Sequence, residues 1–112
     1  MDDCIFCKIA AGKIPVPKLA ESPEAVAFAD INPQAPFHAL VIPRAHIASL
    51  KELTDFGVVA RLYELGAQIA KANGIDQSGY RTVINTGPDA GQTVFHVHLH
   101  VMGGRHMAWP PG

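Results

Sequence analysis

The chain has 112 residues, 48% of them hydrophobic and 17% charged, and its nine Lys and Arg nearly cancel its ten Asp and Glu to leave a net charge of −1. That length suits one domain with a single core, spanning residues 1–112, and the balance supplies no basic excess to favour nucleic acid or an anionic membrane surface. No run of 18 apolar residues is present, and Met1–Asp2–Asp3 lacks the basic start and apolar stretch of a secretory leader, so a cytoplasmic location is expected.

From the N-terminus, Cys4 to Ala11 reads as a short amphipathic helix closed by Gly12. Its two cysteines, Cys4 and Cys7, are spaced C-x-x-C, which in a reducing compartment favours metal binding or redox chemistry over a structural disulfide. The prolines after Ile14 force an extended path. Lys18 to Glu21 and Ala25 to Asp30 follow as two strands around a Ser22–Pro23–Glu24 turn, with Val26 and Phe28 facing inward. Asn32 to Pro36 is loop, and His38 to Ile42 a third strand ending at Pro43.

Leu50 to Leu53 can make one helical turn. Thr54 then caps a helix reaching about Asn73 before Gly74, with a buried stripe of Val59, Leu62, Tyr63, Gly66, Ala67 and Ala70. Tyr80 to Asn85 gives a fourth strand and Val94 to Met102 a fifth. One long and one short helix beside five strands joined mainly by short turns predict an antiparallel sheet covered on one face, an α+β fold.

The fifth segment is the chemical centre. His96, His98 and His100 alternate with Val97, Leu99 and Val101, so a strand would put the imidazoles on one face. At about 3.3 Å per residue His96 and His100 lie about 13 Å apart, too far for all three to ligate one ion. A nucleophilic imidazole flanked by partners remains. The preceding Gly87–Pro88–Asp89–Ala90–Gly91–Gln92–Thr93 offers close backbone approach and an anion cradle of N–H groups and a hydroxyl.

The run Gly91–Gln92–Thr93–Val94–Phe95–His96–Val97–His98–Leu99–His100–Val101 resembles the signature of the histidine triad (HIT) superfamily of nucleotide hydrolases and transferases. Asp30–Ile31–Asn32–Pro33–Gln34–Ala35–Pro36–Phe37–His38 and the tail Gly103–Gly104–Arg105…Trp109–Pro110–Pro111–Gly112 are similar to its Hint branch, the purine nucleoside phosphoramidases. The resemblance implies a HIT-like five-stranded antiparallel sheet, and a homodimer whose two sheets join into a continuous ten-stranded one with the tail near the partner's site. It implies an enzyme cleaving purine nucleoside 5′-phosphoramidates such as AMP-lysine through a nucleotidyl-histidine, with no cofactor required for catalysis.

By the same resemblance His98 is the nucleophile, oriented by the backbone carbonyl of His96, while His100 and His38 complete the catalytic set. Asn85 and the Gly91–Gln92–Thr93–Val94 loop are expected to hold phosphate, Asp30 the ribose hydroxyls, and Phe6, Phe28 and Ile31 the purine. Thr93 stands where the family usually carries serine. Some relatives with an N-terminal C-x-x-C bind zinc through histidines at matching positions, and this resemblance implies Cys4, Cys7, His46 and His96 as the ligands of a structural zinc. The alternatives are a dinucleoside polyphosphate hydrolase and a nucleotide-binding regulatory module in which hydrolysis is incidental.

Overall fold

The computed structural model describes residues 3–112. Helix α1 (Ile5–Ala10) starts at Cys4, whose Sγ accepts the Cys7 N–H at 3.4 Å, and it stops before Gly12, held at φ 75°. Strands β1 (Lys18–Glu21) and β2 (Ala25–Ala29) form the expected hairpin, its turn tied by the Ser22 hydroxyl accepting the Ala25 N–H at 3.1 Å. Strands β3 (Phe37–Pro43), β4 (Tyr80–Val83) and β5 (Leu99–Gly103) complete one antiparallel sheet in the order β1-β2-β3-β5-β4. Helix α2 (Gly57–Ala72) crosses that sheet.

Both faces are covered, not one. Ala25, Ala27, Ala39 and Val41 pack with Leu62, Leu65 and Ile69 of α2, whereas the alternate residues Val26, Phe28, Leu40 and Ile42 pack with Phe6 and Ile9 of α1. Alternation along β2 therefore separates two apolar clusters, and four consecutive residues, Ala25 to Phe28, are buried. The alanines on the α2 side let the helix approach closely. Gly66 does the same from the helix, where an added Cβ would lie 3.2 Å from Leu99 Cδ2.

Three boundaries differ from expectation. Helix α2 begins at Gly57 with Asp55 Oδ1 accepting its N–H at 2.9 Å, so Asp55, not Thr54, serves the first turn. Its buried stripe runs through Leu62, Leu65, Gly66, Ile69 and Ala70, and Tyr63 and Ala67 face outward. The bulky aliphatic residues at i, i+3 and i+7 set the phase over the smaller ones. Strand β4 ends at Val83, before Asn85, and β5 begins at Leu99, so Val94 to His98 lie outside the ladder. The last pairs are Val83 with His100 and Val41 with Leu99. Beyond them β3 reaches Pro43, which has no N–H to offer, and the approach to β5 is held instead by the Val97 N–H on the Ile47 carbonyl at 2.8 Å.

Leu62 is 0% exposed at the centre of the α2 face. Leu62→Ala is expected to cost about 2–5 kcal/mol in urea unfolding with an unchanged m-value. A loss under about 1 kcal/mol would show that the helix does not seal this core.

Candidate active site

A cavity of about 720 Å³ opens between α1, the extended residues 14–16 and the ends of β2, β3 and β5. Its walls are apolar, from Phe6, Ile9, Ile14, Phe28, Leu40 and Val94, and one end is polar, with Asp30, His38, Thr93, His98 and His100. Ile31, 96% exposed, forms part of the rim. Among the lining residues there is no Lys or Arg, and Asp30 is the one ionisable carboxylate.

The hydrogen bonds fix which imidazole nitrogens face the opening. His98 Nδ1 lies 2.8 Å from the carbonyl oxygen of His96, so Nδ1 carries the proton that it donates, and Nε2 keeps a lone pair. Its ring stands edge-on to Phe6 at 5.1 Å between centroids and 5.0 Å from His100. His38 is fixed from the other side: the Gln34 backbone N–H donates to its Nδ1 at 2.9 Å. Neutral His38 is therefore protonated on Nε2, which donates to His100 Nδ1 at 2.9 Å and lies 3.3 Å from Asp30 Oδ2. His100 accepts at Nδ1 and is left with its proton on Nε2. A lone pair on His98 and an N–H on His100 stand side by side.

Burial keeps His38 and His100 neutral. It pulls His38 below the usual imidazole range against the opposing pull of Asp30, and it pushes His100 down to about 4, with His98 and His38 adding to the effect and Asp30 resisting it. The unfolded chain takes up these protons near pH 6.5, whereas folded His100 does so only near 4. Acid therefore favours unfolding in that window. The melting temperature is expected to fall as pH drops from 6.5 toward 4, with a shallower slope in His100→Asn; a flat profile would contradict neutral, buried imidazoles.

The loop residues divide. Thr93 and Val94 line the cavity, but Gly91, Gln92 and Asn85 do not. Gln92 is buried, its amide donating to the Ala48 and Val94 carbonyls at 2.8 and 3.2 Å and its oxygen accepting the Gly87 N–H at 2.9 Å. That side chain ties the loop together and does not face a ligand. Gly87 and Gly91, at φ 85° and 89°, make the turns this path needs.

His96 points away from the cavity into a second cluster. Its Nδ1 lies 3.3 Å from Cys4 Sγ and 3.5 Å from Cys7 Sγ, Cys7 Sγ lies 3.2 Å from His46 Nδ1, and all four donor atoms fall within 4.8 Å of one another. A tetrahedral zinc with bonds of about 2.3 Å to sulfur and about 2.0 Å to nitrogen separates S from N by about 3.5 Å. The donor set fits it. His96 Nε2 donates to the Pro43 carbonyl at 2.8 Å, which leaves Nδ1 free as a ligand. Burial and the adjacent Cys4 raise the Cys7 thiol, a resistance to ionisation that a bound dication inverts.

Sequence reasoning missed five contributors. Ile9, Ile14 and Leu40 extend the apolar wall, and the run Ile5, Phe6, Ile9 already carried part of that signal. The Gln34 N–H that fixes His38 is a backbone group in a proline-rich loop, and no side-chain pattern announces it. Arg105 donates through Nε and Nη2 to the Gln34 carbonyl at 3.1 and 3.0 Å, a contact between segments 71 residues apart.

The chain and its fold have known relatives. The HIT domain family model matches residues 11–107. A HIT family hydrolase from Legionella pneumophila has the same structure at a TM-score of 0.94 and 45% identity, covering 98% of this chain and 100% of that one. A histidine triad nucleotide-binding protein from Candida albicans matches at a TM-score of 0.84 and 33% identity, covering 96% of this chain and 83% of that one. A 14 kDa zinc-binding protein from Brassica juncea is 41% identical over 114 residues, 98% of this chain and 100% of that protein. With its five-stranded antiparallel sheet, two helices and histidine-lined cavity, this chain belongs to the HIT domain family.

Proposed function

We propose that the chain is a hydrolase of purine nucleoside 5′-phosphoramidates, such as AMP joined through nitrogen to lysine, acting through a covalent nucleotidyl-His98. The observation that carries this reading is the free Nε2 lone pair of His98 beside the His100 N–H in a cavity without a cationic side chain. His98 Nε2 attacks phosphorus and the P–N bond breaks toward the amine, which leaves with its electron pair and takes a proton from solvent; hydrolysis of the intermediate later returns one proton to solvent. The positive charge that develops on His98 is met by the His96 carbonyl on Nδ1. Water then cleaves the P–Nε2 bond, releasing the nucleoside monophosphate and restoring neutral His98.

Neutral donors suit one phosphate. The His100 N–H and the backbone of the Thr93–Val94 loop stabilise a singly charged phosphoramidate, whereas a dinucleoside polyphosphate would set several negative charges against a wall with no Lys or Arg. In this reading Asp30 accepts the ribose hydroxyls, Phe6, Phe28 and Ile31 form the base slot, and Gly91 and Gln92 act by shaping the loop. Asn85 does not line the cavity and has no role in this reading. A zinc ion at Cys4, Cys7, His46 and His96 would supply a structural cross-link between α1 and the approach to β5, with no part in bond-making.

The hydrolase and nucleotide-binding names of the L. pneumophila and C. albicans proteins support the reading, as does the zinc-binding name of the B. juncea protein. The proposal includes a homodimer formed at an open sheet edge, which would cover part of the tail, where Trp109 is 82% exposed. It also includes the cytoplasm as its place of action; among the described residues no helix is long and apolar enough to cross a membrane.

The test is turnover of an adenosine phosphoramidate bearing a fluorescent amine, run beside diadenosine polyphosphates. Amine release at the higher kcat/KM is expected. Faster cleavage of the polyphosphates would move the chain to that hydrolase class, and AMP binding without turnover of either would make it a regulatory module.

A further inference from the structure

We propose that Arg105, in the tail beyond β5, is a positioning residue for the histidine chain: by clamping Gln34 it keeps the Gln34 N–H on His38 and so decides which nitrogen of His100 presents a proton to the cavity. The catalytic consequence rests on the hydrolase reading above; the structural claim does not.

Four segments meet here. Arg105 spends Nε and Nη2 on one neutral acceptor, the Gln34 carbonyl, and Nη1 on the His106 carbonyl at 3.0 Å. Among the described residues it makes no ion pair. Holding an exposed arginine in one geometry costs side-chain entropy, so a forked contact to a carbonyl persists where the backbone delivers it already aimed. Gly104 does this. It sits at φ 92°, and a Cβ there would stand 2.9 Å from Pro36 Cβ, so the tail leaves the strand pressed against the 34–36 loop. The loop is knit internally as well: Gln34 Nε2 donates to the Asn32 carbonyl at 3.1 Å, and the Asn32 N–H donates to Asp30 Oδ1 at 2.9 Å, leaving Oδ2 toward His38.

The link from this clamp to chemistry is a tautomer. While the Gln34 N–H points at His38 Nδ1, neutral His38 must carry its proton on Nε2, and His100 must offer Nε2–H to whatever occupies the cavity. If the loop drifts, the Gln34 N–H leaves Nδ1 and Asp30 Oδ2, tied to the same loop through Asn32, leaves Nε2, so His38 can hold its proton on Nδ1 instead. The pair then reverses: His100 Nδ1–H donates to His38 Nε2, and His100 turns a lone pair toward a phosphoryl oxygen, which repels it. Arg105 touches neither ring. Its effect passes through a backbone residue that restrains one and, through that ring, the other.

The same four donor and acceptor atoms argue against reading Asp30, His38 and His100 as a second metal site, although their ligand atoms lie within 4.8 Å. The His38 nitrogen that would face an ion is the one that the Gln34 N–H obliges to stay protonated.

The experiment compares wild type with Arg105→Met and Arg105→Lys. Imidazole 15N–1H correlation spectra of the full chain are expected to show Nε2–H tautomers for His38 and His100 in wild type. In Arg105→Met both should move toward mixtures, with kcat for the phosphoramidate falling about tenfold and KM changing less than about twofold. Arg105→Lys, with one donor in place of a fork, should fall between. In a His100→Asn background the Met substitution should have no further effect on kcat, a coupling that general loosening of the fold would not produce. Unchanged ring tautomers in Arg105→Met, Nδ1–H tautomers in wild type, or an equal loss of kcat in the His100→Asn background would each overturn the proposal. Should wild type release no amine, the hydrolase reading fails, and the ring spectra still decide whether Arg105 sets the tautomers.

Discussion

His98→Ala is expected to lower phosphoramidate hydrolysis by at least about 10³-fold while changing AMP affinity by less than about fivefold. Removing the attacking atom closes the covalent route entirely, and what survives is the background that binding and neutral donors provide. Affinity should persist because the proposed base and ribose contacts come from other residues that line the cavity: Phe6 and Phe28 in the wall, Asp30 at the polar end. His98 is 7% exposed and packs against Phe6, so truncation also opens a small void. His98→Asn fills most of it and serves as the control for packing. Residual activity within tenfold of wild type in both variants would assign the bond-making to another group.

The second large effect is on the cluster of Cys4, Cys7, His46 and His96. Purified protein is expected to carry about one zinc per chain, and Cys7→Ser to carry under a tenth of that, because the S–N separations of 3.2, 3.3 and 3.5 Å match a tetrahedral site and all four donors lie within 4.8 Å. An ion held at about a thousand times its dissociation constant stabilises the folded state by about 4 kcal/mol. For a domain of this size, chelation should then lower the melting temperature by on the order of 15 °C. Thermal unfolding with and without chelator measures this, alongside metal content. The loss should fall first on α1, whose Phe6 and Ile9 wall the cavity, so nucleotide binding should weaken with it. Zinc that survived Cys4→Ala and vanished in His98→Ala would instead place the ion on the histidine strand.

Much of this was legible in residue patterns. Proline and glycine punctuation placed β1, β2, β3 and α2 within a few residues, because those breaks act locally through the dihedrals they permit. The C-x-x-C at the start of a short helix marked one half of the Cys–His cluster, and the histidine repeat marked residues at the polar end of the cavity. What escaped depended on partners far away in sequence. Val94 to His98 has strand spacing, yet it lies outside the ladder because β4 ends at Val83 and β3 runs into Pro43. His96 and His98 share a parity and still face different clusters, since residues before Leu99 follow the Gln92-tied loop and not a pleat. The α2 stripe was misphased because small residues at helical spacing look apolar without driving burial. The second covered face was hidden in α1, six residues that gain their meaning only against Val26, Phe28 and Leu40. Gln34 acts through its backbone, which side-chain chemistry does not report.

The covalent step is the claim on which the functional account stands. The direct measurement is to quench a reaction with excess phosphoramidate within the first turnover and map the modified peptide by mass spectrometry. The account predicts a nucleoside monophosphate joined to His98, formed at the rate of amine release and absent from His98→Asn. Amine release with no protein-bound nucleotide at any quench time, or a nucleotide attached to a residue other than His98, would contradict it.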